Sequence, residues 1–336
     1  MGGLTINYLI RRLLVFFLTL WVAATIMFVI PRLAPGDPIT AMVARLQEQA
    51  GYVENSDKII EGWKERFGLN DSVSVQYIRY MGNLAKMDLG YSMAHFPSTV
   101  GELVGRAMPW TIGLVGVATL ITFTLGNFLG ALLAWDRTPR LVKTAIPISM
   151  IFTSIPPLLA GLLLAYIFGF KIDLFPLVGA YGRGMQQEFS WKFILSVIHH
   201  GVLPVTALVI TSFGYWALGM RGMLVTIEGE DYMILAQAKG LKPSYTLYRY
   251  MIRNAILPQI TALAVAIGRL VGGAILVEVI FTYRGMGQLI YTAIRNQDYS
   301  LIQGTSFILI LTSALAVLIL DLIYPLIDPR ISFEGK

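Results

Sequence analysis

Few side chains in this sequence have the types and spacing that chemistry requires. The chain has no cysteine and only three histidines, which excludes thiolate chemistry and leaves little for a metal site. His199 and His200 are adjacent and do not belong to a His-Glu-x-x-His motif. Neither paired aspartates nor a serine–histidine pair is visible within the long apolar stretches. The sequence therefore predicts no catalytic residue, no metal site and no cofactor.

The segment from Gly214 to Gly219 comes nearest to a phosphate-binding loop. A Walker A motif needs Gly, four residues, Gly, Lys and Ser or Thr, so that backbone amides surround the phosphates. The two glycines have this spacing, but Met220 stands where the lysine is needed. We therefore expect that the chain is not an enzyme and does not bind ATP through a phosphate loop of its own.

The elements that must position the ionisable residues are long and apolar. Hydrophobic residues make up 56% of the chain and charged residues 14%, against about 25% charged in soluble proteins. A helix crosses the roughly 30 Å hydrocarbon core with about 20 apolar residues, and only helices satisfy their own backbone groups there. Six stretches meet or approach this length: 13–30, 110–135, 144–170, 201–220, 255–282 and 301–320. The sequence predicts an all-α integral membrane protein with about six transmembrane helices, the third interrupted by Pro147, Pro156 and Pro157.

Basic residues indicate how these helices are oriented. The net charge of +6 comes from Lys and Arg lying between apolar stretches, which fits membrane orientation and not a nucleic-acid partner. With a cytoplasmic N-terminus, twelve Lys and Arg face the cytoplasm and five lie in the short outer loops 171–193 and 283–300. We predict a multi-pass protein of the cell (inner, cytoplasmic) membrane with both termini inside. A signal peptide at 13–30 is the alternative, but its apolar run is long and a poor cleavage site follows.

Three parts follow from this arrangement. Residues 1–30 would form the cytoplasmic N-terminus and first transmembrane helix, and 31–109 an extracytoplasmic domain between the first and second helices. Residues 110–336 would form a core domain with five transmembrane helices and a cytoplasmic loop at 221–258. In the outer domain, apolar residues at helical spacing predict a short amphipathic helix over 59–69. That domain could cap the membrane core or bind a partner.

The loop 221–258 is too long for a simple connection and too polar to span a membrane. Acidic residues, including Asp231, precede a short helix, and Gly240 follows it as a C-cap. Pro243 can open a second helix at its first position, with Arg249 and Arg253 favouring the last turn of that helix. This second helix is expected to run into the membrane at 255–258. The sequence therefore predicts a helix, a turn and a second helix in this loop. The two helices could form a solvated hairpin or could enter a groove of another protein.

The residues of this loop resemble a known family. The matching runs are Asp231-Tyr232-Met233-Ile234-Leu235-Ala236-Gln237-Ala238-Lys239-Gly240-Leu241 and Arg253-Asn254-Ala255-Ile256-Leu257-Pro258. They are similar to the cytoplasmic coupling loop of binding-protein-dependent ABC importer permeases, and specifically to the dipeptide and oligopeptide branch. The broader superfamily often has Glu where this chain has Ile234, a departure that the peptide branch shares.

Further fragments across nearly the whole chain resemble the same branch. They are Pro35-Gly36-Asp37-Pro38, Arg66-Phe67-Gly68-Leu69, Asp88-Leu89-Gly90-Tyr91-Ser92, Glu278-Val279-Ile280-Phe281, Gly285-Met286-Gly287, Asp298-Tyr299 and the run from Asp321 to Arg330. Their order and spacing together are specific, although each fragment alone is modest.

The resemblance implies a mechanism and partners. A second, homologous permease subunit would complete the translocation path, two cytoplasmic ATPase subunits or domains would drive it, and an extracytoplasmic substrate-binding protein would deliver cargo. In the coupling loop, the family's docking role falls on Ala236, Ala238 and Gly240, with Lys239 and Pro243 shaping the elbow. The implied cargo is oligopeptides or dipeptides, with oligosaccharides as the alternative. A secondary transporter is a more distant alternative hypothesis. Such a protein would need neither an ATPase nor a docking loop.

Arg269 is the ionisable residue that most needs an explanation. It lies in the middle of the stretch 255–282, where a charge costs about 2.5 to 3.5 kcal/mol on insertion scales. Glu278 is nine residues further on and falls on roughly the opposite helix face, so the two should not pair. We hypothesise that Arg269 faces the translocation path or the subunit interface. A bond to a neighbouring helix of the same chain is the alternative.

Overall fold

The computed structural model describes residues 6–33, 61–62, 70–268 and 274–327. Within these ranges every regular element is a helix, and the only extended pairing is an isolated bridge between Tyr91 and Thr99. The predicted all-α membrane fold is confirmed. The amphipathic helix predicted over 59–69 and the residue Arg269 lie largely or wholly outside the described residues.

Thirteen helices follow one another in the described parts of the chain. They are α1 (Ile6–Leu33), α2 (Val73–Ala85), α3 (Val100–Ala134), α4 (Arg140–Lys143), α5 (Ala145–Thr153), α6 (Pro157–Leu164), α7 (Trp191–Glu228), α8 (Asp231–Ala238), α9 (Pro243–Thr246), α10 (Arg253–Gly268), α11 (Ile275–Ile280), α12 (Met286–Arg295) and α13 (Tyr299–Ile327). Short π-helical segments, Ala165–Lys171 and Leu247–Ile252, extend α6 and join α9 to α10. The chain divides into two compact units: Met1–Pro109 with Gly285–Lys336, and Trp110–Arg284.

Among the described residues, five helices are long and apolar enough to cross a membrane. They are Ile6–Ile30, Val100–Ala134, Trp191–Glu228, Pro243–Ile267 and Tyr299–Ile323. The third predicted stretch is instead two shorter helices, α5 and the apolar helix Pro157–Lys171, separated at 154–156. Pro156 and Pro157 cause the break because proline has no amide hydrogen and cannot continue a helix. The fifth stretch begins earlier than predicted, since the helix through the loop enters it without interruption.

In the first unit, α1 and α13 pack against each other in antiparallel directions. Near one end, Arg12 Nη1 lies 3.0 Å from Asp321 Oδ2. Near the other, Gln303 Nε2 donates to the Met27 carbonyl at 3.1 Å. The N-terminal end of α1 therefore lies beside the C-terminal end of α13.

The same unit holds the segment 88–99, called the Ser92 segment, against the start of α13. The fully buried Asp298 accepts from the Leu301 amide at 3.0 Å and so caps α13. Its other carboxyl oxygen accepts from the Ser92 hydroxyl and from the Ala94 amide at 2.9 Å. These three bonds use both oxygens of one buried side chain.

In the second unit, α7 packs against α5, α6 and α10, and α3 approaches it closely. A side chain at Gly126 would collide with Trp216, and one at Gly130 with Ala217 and Met220. Glycine at both positions therefore allows α3 to pack directly on the backbone of α7.

Candidate functional site: the coupling loop

Helix α8 ends at the turn that the sequence predicts. Gly240 has φ +66°, a left-handed conformation that disfavours residues with a Cβ. The Gly240 amide donates to the Gln237 carbonyl at 2.9 Å, and the Leu241 amide to the Ala236 carbonyl at 3.4 Å. This pair of bonds is a Schellman motif, which satisfies the last carbonyls of the helix. The predicted C-cap is confirmed.

The second helix of the loop starts as predicted and runs into the membrane as predicted, but the two arginines do not lie in its last turn. Pro243 occupies its first turn. Arg249 and Arg253 were expected in the last turn of this helix, which is wrong, because the helix continues through Leu247–Ile252 into α10 and on to Gly268. The loop is therefore joined directly to a membrane-spanning helix, with no flexible connection between them.

One face of α8 is fastened to the rest of the unit. Met233 and Ala236 are buried, and Met233 belongs to a cluster of buried apolar residues from α3, α7, the π-helical segment and α10. The other members of that cluster are Ala131, Met220, Leu224, Leu247, Met251 and Ala255. A polar contact adds to this packing, since Asn254 Nδ2 donates to the Tyr232 hydroxyl at 3.3 Å. Any force on α8 would reach both α7 and α10.

The side of α8 opposite Met233 and Ala236 carries two exposed apolar residues, Ile234 at 61% and Leu235 at 55%. In the second helix of the loop, Tyr245 and Tyr248 are also exposed, at 50% and 67%. Ala238, Lys239, Gly240 and Pro243 are exposed as well. Of the five residues assigned to the coupling loop's docking and elbow, only Ala236 is buried, where it packs in its own chain.

Sequence reasoning missed the exposed apolar residues of this loop. Ile234 was noted only as a departure from the superfamily pattern, and Leu235, Tyr245 and Tyr248 were not singled out. The signal was present, because α8 carries apolar residues on both faces, whereas an ordinary solvated helix has one polar face.

Glu278, His199 and His200 have structural partners in the described part of the chain. Glu278 is fully buried and accepts from the Thr111 hydroxyl at 2.7 Å. Burial raises the pKa of Tyr283 to about 12, with a smaller contribution from Glu278, so this phenol stays neutral. His199 and His200 contact the carbonyls of Leu174 and Ser196 at 3.2 and 2.8 Å. These contacts fit a structural role better than catalysis.

Long apolar helices, joined in the second unit by a loop packed against them, define a multi-pass membrane protein. The sequence model of the binding-protein-dependent transport system inner membrane component matches residues 126–333, which is more than half of the chain. The chain therefore belongs to this family. It is a multi-pass inner membrane protein, a permease component without catalysis of its own, and its family works with ATPases and substrate-binding proteins.

Individual relatives align over almost their whole length. The oligopeptide transport system permease protein AppB of Bacillus subtilis is 31% identical over 326 residues, covering 97% of this chain and 99% of the relative. The glutathione transport system permease protein GsiC of Escherichia coli K12 is 30% identical over 331 residues, covering 98% and 100%. The dipeptide transport system permease protein DppB of Bacillus subtilis is 29% identical over 330 residues, covering 98% and 99%.

Proposed function

We propose that this chain forms half of the translocation path of an ATP-driven importer for oligopeptides or dipeptides. The observation that carries the proposal is the coupling loop, whose exposed apolar face stands opposite a face packed into α7 and α10. An exposed apolar surface on a polar loop needs a partner, and in this family an ATPase is available to cover it. The second half of the path would be a homologous permease subunit.

The loop is suited to transmit ATPase movement because it is rigidly connected. Helix α8 is held by buried Met233, and the second helix of the loop continues into α10 as one helical rod. When ATP closes two ATPase subunits, a displacement of α8 would move α7 and α10 together. Ala238, Lys239, Gly240 and Pro243 would line the docked surface, with Ala236 fixing the orientation of α8 from within.

Both termini would lie in the cytoplasm. The distribution of Lys and Arg favours this orientation, and the antiparallel pairing of α1 with α13 supports it by bringing the start of one beside the end of the other. The loop 221–258 would then be cytoplasmic, and residues 31–109 would form the extracytoplasmic domain that meets the binding protein.

The cargo follows from the relatives. Their names specify oligopeptides, dipeptides and glutathione, all of which contain peptide bonds. Oligosaccharides have no comparable support. Arg269 would face the path or the subunit interface, where water or a carboxylate offsets the cost of its charge.

The test is reconstitution of the assembled complex in liposomes, with its own binding protein and ATP. We expect accumulation of peptides of a few residues, no accumulation of oligosaccharides, and no transport without ATP. Transport without ATP, by the chain alone, would indicate a secondary transporter and contradict the proposal. Uptake of oligosaccharides in place of peptides would contradict the cargo and leave the importer architecture standing.

Arg269→Gln tests the separate proposal for that residue. Loss of transport with normal assembly would support a position in the path, and loss of assembly would support the subunit interface. Normal transport and assembly would exclude both.

A further inference from the structure

Helix α2 is attached to one end of α1 by specific contacts. The hydroxyls of Thr25 and Tyr77 lie 2.8 Å apart, and Arg32 Nη2 donates to Gln76 Oε1 at 2.6 Å. The ring of Phe28 packs edge-on against Tyr77, with centroids 5.2 Å apart, and the Arg32 guanidinium lies 3.4 Å from the centroid of the Phe28 ring. Contacts over two turns of α1 therefore fix the level of α2 along that helix.

That level coincides with the edge of the bilayer. Arg12 and Arg32 are twenty residues apart on α1, which corresponds to about 30 Å of helix and to the thickness of the hydrocarbon core. Each arginine has polar partners, Asp321 for Arg12 and Gln76 for Arg32. Arginines near the ends of a spanning helix place their charge in the interface. Helix α2, held at the level of Arg32, lies at the same polar boundary.

Three kinds of side chain occupy three sides of α2 when residues are placed about 100° apart. The side toward α1 carries Tyr77, Tyr80 and Leu84. A polar stripe carries Gln76, Arg79 and Asn83. The remaining side carries Val75 and Ile78, which are 45% and 71% exposed. A helix that lay wholly in water beside α1 would have polar residues on this third side.

We propose that α2 is an interfacial helix that inserts Val75 and Ile78 into lipid, at the boundary between headgroups and acyl chains. At the depth of Arg32, the medium beside the apolar surface of a spanning helix is lipid. At the same level of α1, on its side away from α2, Ile26 and Ile30 are also exposed, as expected where lipid surrounds a spanning helix. On the polar stripe, Arg79 pairs with Asp71, with Arg79 Nη2 2.6 Å from Asp71 Oδ2, and this partly exposed pair would lie at the level of the headgroups.

A membrane partner fits this surface better than a protein partner. Docking by a soluble binding protein would require Val75 and Ile78 to stand in water between transport cycles. The attachment at the level of Arg32 places them instead beside acyl chains, where their burial needs no second protein. Insertion of α2 would also fix the position of α1 in the bilayer at its Arg32 end.

Spin labels can test this directly, because the chain has no native cysteine. Ile78→Cys and Arg79→Cys give adjacent single sites, both exposed in the fold, and Val75→Cys gives a second site on the proposed lipid side. Each labelled variant is assembled with its partner subunits in nanodiscs without binding protein. Collision rates of the label with oxygen, which partitions into lipid, and with a water-soluble nickel chelate are then measured.

We expect the ratio of oxygen to nickel collision rates to be several-fold higher at positions 75 and 78 than at 79. Equal ratios, with positions 75 and 78 open to the nickel chelate, would overturn the proposal and leave these residues in water. Low collision rates with both reagents at 75 and 78 would also overturn it, because another protein chain would then cover them. The measurement needs no transport, so its failure is distinguishable from failure of the importer function.

Discussion

The coupling loop and the Ser92 segment are fastened to their helices by different chemistry. The loop is held by a cluster of apolar side chains, of which Met233 is the member contributed by α8. The Ser92 segment is held by hydrogen bonds to one buried carboxyl group, that of Asp298. Apolar packing is non-directional and weakens in proportion to the atoms removed, whereas a buried polar group left without a partner carries its full desolvation cost.

This difference suits the two regions to different tasks. Packing around Met233 leaves the exposed face of α8 free to bind another protein. The bonds to Asp298 fix the direction as well as the position of the Ser92 segment. We expect the first region to tolerate conservative substitutions and the second to respond sharply to loss of a single group.

The largest loss of stability is expected for Asp298→Ala. The change removes the cap of α13, leaves the Ala94 amide without its acceptor and removes the bond that the Ser92 hydroxyl makes to the carboxylate, which should cost about 3 to 5 kcal/mol. Heat-induced unfolding in detergent measures the effect as a lower midpoint. Asp298→Asn is the matched control: it can keep the acceptor for Leu301, so its midpoint should lie between those of the alanine variant and the parent protein. Three equal midpoints would contradict the assigned role of the carboxyl group.

A smaller loss of stability is expected when the apolar packing that holds α8 is removed. Met233→Ala should destabilise the chain by about 2 to 3 kcal/mol, because it leaves a cavity beside Met220 and Leu224. Met233→Leu preserves most of the volume and should cost less than about 1.5 kcal/mol. The same midpoint measurement compares the two variants. Equal destabilisation by both would mean that specific geometry, not apolar volume, holds α8.

The turn after α8 should show a still smaller effect on stability. Gly240→Ala places a Cβ in a left-handed conformation, at a cost of about 1 to 2 kcal/mol. Gly222→Ala is a control, because that glycine lies within α7 and a Cβ there meets no atom within 4 Å. We expect Gly240→Ala to lower the ratio of transport to ATP hydrolysis, while Gly222→Ala leaves it unchanged. An unaltered ratio in both would show that the turn can shift without affecting coupling.

The smallest effect on stability is expected for the partly exposed pair that joins α1 to α13. Arg12→Gln removes an ion pair whose side chains are 33% and 28% exposed, so its loss should cost under about 1 kcal/mol. The midpoint should fall by much less than in Asp298→Ala. A loss as large as that of the buried carboxyl would mean that burial does not distinguish the two ends of α13.

The sequence predicts local features of the coupling loop well because their causes are local. Gly240 and Pro243 restrict their own backbone angles, and the resulting turn is found where they stand. The sequence also predicts that the second helix runs into the membrane at 255–258, and only the placement of Arg249 and Arg253 in its last turn was wrong. Tertiary packing of Leu247 and Met251 overrides that weak electrostatic preference.

The contacts of the Ser92 segment could not be predicted from the sequence. Ser92 and Asp298 are 206 positions apart, and each was recognised only as part of a separate family-like fragment. Nothing in either fragment specifies the other as its partner. Likewise, the length of an apolar stretch does not reveal that the third one is divided at Pro156, although the prolines indicate an interruption.

The most direct test of the coupling role is co-purification of the ATPase with variants of the exposed face of α8. Ile234→Asp combined with Leu235→Asp places charge on the proposed docking surface without touching Met233, and Phe189→Asp is a control at an exposed residue outside the loop. We expect the double variant to insert and unfold like the parent but to retain little ATPase, while Phe189→Asp retains all of it. Full retention of ATPase by the folded double variant would contradict docking through this loop.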